Sequence, residues 1–199
     1  MNTELINQLK DTYKTLLFTE EGKELLSIAI NQKREWNDIK KRNITTTSTD
    51  GVKLKFINKK IHNKIHKIDI IPIGLNNVCH RNAEFFCDDD LEITKRLGYN
   101  ITACPCGKCV SFELHSVNKY QNKLYDFTRD FNDEPNKYFM ELDTNIDIYD
   151  FITIFGKEKE FIKINKGCKC PINWNNQYTK TEEKLIEIIN NIERIKIYH

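Results

Sequence analysis

The sequence predicts an α+β fold in which an antiparallel sheet packs on a helix bearing a candidate nucleophile, with an N-terminal helical extension and a cysteine-lined zinc site. Three observations predict it. The first 43 residues carry apolar side chains at helical spacing, short alternating segments follow, and five of the seven cysteines fall in two dense groups. A Thr-rich run over residues 45–51 separates the extension (1–44) from the main domain (51–199).

The composition limits the class of protein. Of 199 residues, 39% are hydrophobic and 30% charged, and the net charge of +2 gives no reason to expect nucleic acid or a membrane as the main partner. The first ten residues lack the apolar core of a signal peptide. Seven cysteines in such a chain indicate a reducing compartment, so we expect a cytoplasmic protein.

Two helices are expected in the extension. Apolar residues recur at helical spacing from Leu5 to Leu17 and again from Leu25 to Trp36. Thr19 precedes two glutamates and is a good N-cap, so the first helix should end near Phe18.

The main domain mixes short strands with helices. Lys and Ile alternate over residues 52–73, which predicts two strands around Asn63. A helix is expected over 78–90, and its end at Asp88-Asp89-Asp90 should already be a turn, because three acids there oppose the helix dipole. The remaining elements are strands over 110–117 and 123–127, an ambiguous segment over 146–155 and a helix over 179–195.

Cys79 lies where an irregular segment enters the predicted helix. The unpaired N–H groups and the partial positive charge of a helix N-terminus lower a thiol pKa and favour the thiolate. The backbone N–H of Cys79 or His80 could also hold an oxyanion. This is the placement that a nucleophilic cysteine requires.

His115 and Asp126 fall on two strands joined by a short polar loop. A turn at Gln121-Asn122 pairs residues whose numbers sum to 243, and a four-residue loop makes the sum 241. In either register His115 and Asp126 share one face of the hairpin, opposite or diagonal. The carboxylate can then accept from one imidazole nitrogen and leave the other to act as a base.

The order of these residues resembles that of transglutaminase-like and papain-like cysteine hydrolases. The matching positions are Cys79 in Asn-Val-Cys-His-Arg-Asn, His115 in Glu-Leu-His-Ser-Val and Asp126 in Leu-Tyr-Asp-Phe-Thr, within residues 74–130. The resemblance implies that Cys79 is the nucleophile, His115 the general base and acid, and Asp126 the residue that orients the imidazole. Papain-like members place a glutamine at the oxyanion, whereas this chain offers Asn76 and Asn77.

The function expected from this resemblance is a cysteine hydrolase acting on an amide or thioester of a protein or peptide. Peptidase, deamidase and transglutaminase reactions share one acyl-enzyme, so these alternatives stay open. A non-enzymatic zinc-stabilised module that binds protein or nucleic acid is the competing hypothesis. In it, the basic residues from Lys53 to Lys67 would form the binding surface, although such a charge run is more often a solvated face of a sheet.

Five cysteines have the spacing of metal ligands. Two sulfurs on a tight turn containing Gly or Pro can reach one tetrahedral ion, and two such knuckles make a four-thiolate structural zinc site. Free thiols and an iron–sulfur cluster are the alternatives. The preferred ligands are Cys106, Cys109, Cys168 and Cys170, with Cys104 as the alternate.

Overall fold

A computed structural model describes residues 1–42, 65–103, 106, 108–128, 137–142, 148, 151 and 161–165. Its elements, in chain order, are α1 Thr3–Leu17, α2 Glu20–Arg42, β1 Ile65–Gly74, α3 Cys79–Phe85, β2 Thr94–Ala103, β3 Cys109–Tyr120, β4 Lys123–Thr128, β5 Lys137–Glu141 and β6 Phe161–Asn165. Within those ranges, no helix combines the length and the apolar character needed to cross a membrane. The predicted strand before Asn63 and the predicted helix over 179–195 lie outside the described residues.

The two N-terminal helices are confirmed. Helix α1 is capped by Asn2, whose side chain accepts the Leu5 N–H at 2.8 Å, and it ends at Leu17. The Thr19 hydroxyl accepts the Gly22 N–H at 3.2 Å and so caps α2. The expected break near Phe18 is where the chain turns.

The strand order shows that the predicted fold class is wrong. The strands pair in the order β2-β5-β1-β4-β3, and β2 also pairs with β3, so five strands form a closed β-barrel rather than one sheet packed on a helix. Strand β6 pairs with β3, and the β1–β4 pair is parallel, so the sheet is not purely antiparallel. The described residues include only Cys106 and Cys109 of the five predicted zinc ligands, and no group of three or more His, Cys, Asp or Glu side chains within them is placed to hold a metal ion.

Strands β2 and β5 were not predicted, and both are needed to close the barrel. Strand β2 contains Lys95, Arg96 and Asn100, which disrupt the alternation that predicts a strand, and it has Gly98 at its middle. A Cβ at Gly98 would meet the Phe139 ring and the Met140 carbonyl of β5. Glycine therefore allows the close backbone approach that pairs these strands.

The chain forms two compact units. The first comprises Met1–Ile44, Ile68–Arg96 and His115–Pro135, and the second comprises Thr45–Lys67, Leu97–Leu114 and Asn136–His199. In the second unit, Cys109 pairs with Asn165 in the antiparallel β3–β6 ladder. Also in that unit, Tyr99 packs edge-on against the rings of Phe112 and Phe151.

The core of the first unit joins α1 and α2 to the residues around α3. Tyr13 stacks on Phe86 with ring centroids 5.2 Å apart, and Phe86 packs on Phe127 at 4.6 Å. Burying side chains of this size stabilises a fold by about 1.5–3 kcal/mol each. The buried members are Leu5, Leu9, Tyr13, Leu25, Ala29, Val78, Phe86, Ile93, Tyr125 and Phe127.

Candidate active site

Cys79 is the first residue of α3, and every residue of the site around it belongs to the first unit. Asn77 has a left-handed backbone with φ 62°, and Val78 occupies the N-cap position with φ −128° and ψ 43°. The helix has seven residues and ends at Phe85, earlier than predicted, and residues 89 and 90 lie in a turn, as expected for the acidic end of the segment. The chain then turns back on itself, because Asp88 bridges to Ile93.

The β3–β4 hairpin has the first of the two registers predicted. Asn118 pairs with Tyr125 and Tyr120 with Lys123, so the residue numbers sum to 243. Gln121 and Asn122 both have positive φ, 47° and 62°, as a two-residue type I′ turn requires. The turn thereby fixes which side chains share a face.

His115 and Asp126 form a buried hydrogen-bonded pair. The Nε2 atom of His115 lies 2.9 Å from Asp126 Oδ2, and both side chains are buried. The other carboxylate oxygen, Oδ1, accepts the Thr128 N–H at 2.9 Å. Because Asp126 is held by a backbone donor, it fixes the orientation of the His115 ring.

Cys79 completes this arrangement by a hydrogen bond to His115. Since Nε2 faces Asp126, the ring presents Nδ1 to the thiol. Burial disfavours the charged form of each group, but the charge of Cys79, together with Asp126, raises the pKa of His115 to about 10. The charges and hydrogen bonds of His80 and His115 likewise outweigh burial at Cys79 and lower its pKa well below 9.0. Both shifts favour the thiolate–imidazolium form of the pair.

His80 is a second imidazole beside the thiol, and its side chain was missed by the sequence analysis. It hydrogen-bonds to Cys79, and its Nδ1 atom lies 2.7 Å from the hydroxyl of Ser116, which is buried. Ser116 directly follows His115 in the chain. The sequence did contain a signal for this contact, because His80 directly follows the candidate nucleophile and Ser116 directly follows the candidate base.

A buried hydrogen-bond hub anchors the helix that carries Cys79. Asn82 is fully buried, and its amide donates to the Leu75 carbonyl at 2.6 Å and to the Thr128 hydroxyl at 3.3 Å. The Tyr13 hydroxyl donates to Asn82 Oδ1 at 2.8 Å and accepts the Leu75 N–H at 3.1 Å. A Cβ at Gly74 would lie 2.6 Å from the Asn82 side chain, so Gly74 leaves the space for this hub. Helix α1 thus holds α3 against β4.

Replacing Tyr13 by phenylalanine should destabilise the protein without large loss of packing. The change leaves Asn82 Oδ1 and the Leu75 N–H without their partner, which costs about 1–3 kcal/mol. The measurement is the free energy of unfolding in urea, with Thr12→Val as the control, since Thr12 bonds to its own helix at an exposed position. Equal free energies of unfolding for Tyr13→Phe and the wild type would show that the hydrogen bonds of the Tyr13 hydroxyl do not stabilise the protein.

The ion pair should also give stability a defined pH dependence. The contribution of His115 is complete below its ordinary pKa of 6.5 and is lost as pH rises through its folded pKa of about 10. The contribution of Cys79 is complete above its ordinary pKa of 9.0 and is lost as pH falls through its lowered folded pKa. Between 6.5 and 9.0 the two slopes oppose each other wherever both groups are charged in the folded protein, so their joint contribution should be level over that interval and fall on either side.

The measurement is the difference in free energy of unfolding between the wild type and the double variant Cys79→Ala/His115→Ala across this pH range. Titration of groups that do not interact with the pair cancels in this difference. A difference that changes steadily between 6.5 and 9.0 would show that one of the two groups is neutral in the folded protein.

The other predicted site residues are placed as follows. The Asn76 side-chain oxygen accepts the Asn77 N–H at 2.7 Å, next to α3. Cys106 is exposed and Cys109 is buried at the start of β3. Cys104, Cys168 and Cys170 lie outside the described residues, as do residues 53–64 of the basic segment.

Cys87 contrasts with Cys79 and provides an internal reference. Its side chain is exposed, and its Sγ atom lies 3.2 Å from the Ala83 carbonyl. Partial burial and the nearby charges of Glu84 and Asp89 raise the pKa of its thiol, outweighing the contribution of Lys95 that lowers it. Cys87 is therefore the more accessible thiol and the less ionised one.

The geometry places a cysteine, a histidine and an aspartate in one hydrogen-bonded series. Comparisons with protein-family models, with curated proteins and with solved structures find no match to the chain.

Proposed function

We propose that the protein is a cysteine hydrolase or acyltransferase in which Cys79 is the nucleophile, His115 the general acid and base, and Asp126 the residue that orients His115. The observation that carries the proposal is the unbroken contact from Asp126 through His115 to Cys79, all on structured elements. Its substrate would be an amide or thioester of a protein or peptide, and its compartment the reducing cytoplasm.

The proposed reaction follows from the charge state of the pair. The Cys79 thiolate attacks the carbonyl carbon, so an S–C bond forms and the π electrons move to oxygen. As the carbonyl reforms, the bond to the leaving nitrogen or sulfur breaks, and the proton on His115 Nδ1 passes to the leaving group. Neutral His115 then takes a proton from water or an acceptor amine, which attacks the thioester and releases Cys79.

Acylation by p-nitrophenyl acetate tests this proposal without knowledge of the natural substrate. We expect one acetyl group on the full chain, located on Cys79 by peptide mass spectrometry. The modification should be lost in Cys79→Ala, slowed in His115→Ala, and unchanged in Cys87→Ala. Acetylation spread evenly over the thiols, or equal rates in wild type and His115→Ala, would reject the proposal.

A structural zinc site bound by four thiolates remains part of the proposal, and the β3–β6 register supports it. Asn165 pairs with Cys109, and Cys168 follows Asn165 by three residues. Three residues span at most about 10 Å, so the chain leaves β6 close to the knuckle that contains Cys106 and Cys109. Bound zinc would supply a cross-link between these segments and no chemistry at Cys79.

Metal removal should therefore lower stability while sparing the reactive thiol. We expect one zinc per chain by elemental analysis, and a loss of several kcal/mol in the free energy of unfolding after chelation at neutral pH. Cys168→Ser should reproduce the loss, whereas Cys87→Ser should not. A metal-free protein with unchanged stability would overturn the zinc site, and iron in place of zinc would favour a cluster.

A further inference from the structure

The candidate site contains one group that the proposed reaction has not used. The His80 ring contacts the Cys79 thiol from one residue along α3, and Ser116 holds its Nδ1 atom at 2.7 Å. His115 already has a role in the proposed reaction, because it hydrogen-bonds to Asp126 and must deliver a proton to the leaving group. Two imidazoles therefore contact one sulfur, each with its own anchor.

The two anchors favour different roles. A carboxylate stabilises a protonated ring, as an acid catalyst requires. A serine hydroxyl can donate to Nδ1 of a neutral ring or accept from Nδ1–H of a charged one, and in both cases Nε2–H remains a hydrogen-bond donor. His80 is thereby suited to donate a hydrogen bond without giving up its proton.

The oxyanion is the group that needs such a donor. When the thiolate adds to a carbonyl, negative charge develops on the oxygen attached to the carbon that bonds to sulfur. That oxygen is two bonds from the sulfur, through the carbonyl carbon, so a donor that already contacts the sulfur is a near neighbour of the oxygen. Asn76, one of the two residues expected there, directs its side-chain oxygen to the backbone of Asn77.

We propose that His80 is a catalytic residue that donates a hydrogen bond to the oxyanion formed at Cys79, and that Ser116 is the positioning residue that holds its ring. This inference rests on the proposed function of Cys79. No proton is transferred from His80: the hydrogen bond strengthens as the oxygen becomes charged and weakens when the carbonyl reforms. The same hydrogen bond would stabilise the oxyanion formed from an amide carbonyl or from a thioester carbonyl.

Comparing two reactions of the same thiolate separates this role from a merely supporting one. Acylation by p-nitrophenyl acetate passes through a tetrahedral oxyanion, whereas alkylation by iodoacetamide displaces iodide at a saturated carbon and forms none. Each rate is taken at its high-pH plateau, so that changes in the pKa of Cys79 do not enter. The informative quantity is the ratio of the acylation rate to the alkylation rate.

We expect His80→Ala to lower this ratio by about 10²–10³, the usual effect of losing one oxyanion donor. His80→Gln, which supplies an amide N–H, should recover part of it, and Ser116→Ala should lower it by a smaller factor. Cys87→Ala should leave it unchanged. Because all four variants are compared with the wild type by ratio, partial unfolding that lowers both rates does not imitate the effect.

Two results would overturn the inference. Acylation and alkylation could fall together in His80→Ala, which would give His80 no role specific to the oxyanion. The ratio could remain at the wild-type value in both His80 variants, which would show that the ring does not reach the oxyanion. Failure of the proposed function is distinct, because Cys79 would then show no selective acylation or alkylation in the wild type.

Discussion

Brief alkylation of the native protein with iodoacetamide at about pH 6 should label Cys79 before Cys87. An ordinary thiol with a pKa of about 8.5 is roughly 0.3% thiolate at that pH, whereas the lowered pKa of Cys79 raises its thiolate fraction above that of an ordinary thiol. The lower intrinsic reactivity of a stabilised thiolate offsets part of this difference, so we expect Cys79 to react ~10-fold faster or more. Peptide mass spectrometry gives both rates in one sample.

This comparison is stringent because accessibility acts in the opposite direction. Cys87 is exposed and Cys79 is only partly exposed, so labelling controlled by access alone would favour Cys87. His115→Ala removes one of the two imidazoles that lower the pKa of Cys79 and should reduce the rate of Cys79 toward that of Cys87. Preferential labelling of Cys87 in the wild type would contradict the ionised state of Cys79.

Asp126→Asn should lower the rate of acylation at Cys79 by on the order of 10²–10⁴ while the hairpin stays folded. The Thr128 N–H fixes an acceptor at the Oδ1 position, so the asparagine oxygen must remain there and its NH₂ group must face His115 Nε2. Neutral His115 would then carry its proton on Nδ1, the nitrogen that faces the thiol. The ring could no longer accept a proton there.

Asp69→Asn is the matched control for this variant. Asp69 lies on β1 opposite Tyr125, in the strand beside Asp126, and its side chain is exposed. The same change of one carboxylate to an amide should leave the acylation rate within about twofold, since surface charges are screened by solvent. Equal losses in Asp126→Asn and Asp69→Asn would mean that long-range charge, rather than the orientation of His115, controls the reaction.

The local parts of the site were predictable because they depend on short-range rules. A polar two-residue turn sets the register of a hairpin, and the period of two along a strand then places His115 and Asp126 on one face. The helix that begins at Cys79 follows from the break before it, and the start of α2 follows from Thr19. Each of these rules involves residues that are near in sequence.

The barrel and the second imidazole depend on long-range contacts that no local pattern encodes. Closure requires β2 to pair with both β5 and β3, and Gly98, which weakens the strand signal, is the residue that allows the β2–β5 approach. His80 and Ser116 are 36 positions apart and meet only because α3 packs beside the hairpin. The Tyr13–Asn82 contact spans 69 positions in the same way.

The most direct test of the thiolate–imidazolium pair is an ultraviolet titration of the thiolate, taken as the difference between the wild type and Cys79→Ser. We predict that the thiolate absorbance of Cys79 persists far below its ordinary pKa of 9.0 and that His115→Ala moves the transition upward toward that value. A transition near 9.0 in the wild type, unaffected by His115→Ala, would contradict the account, because Cys79 would then be a neutral thiol at physiological pH.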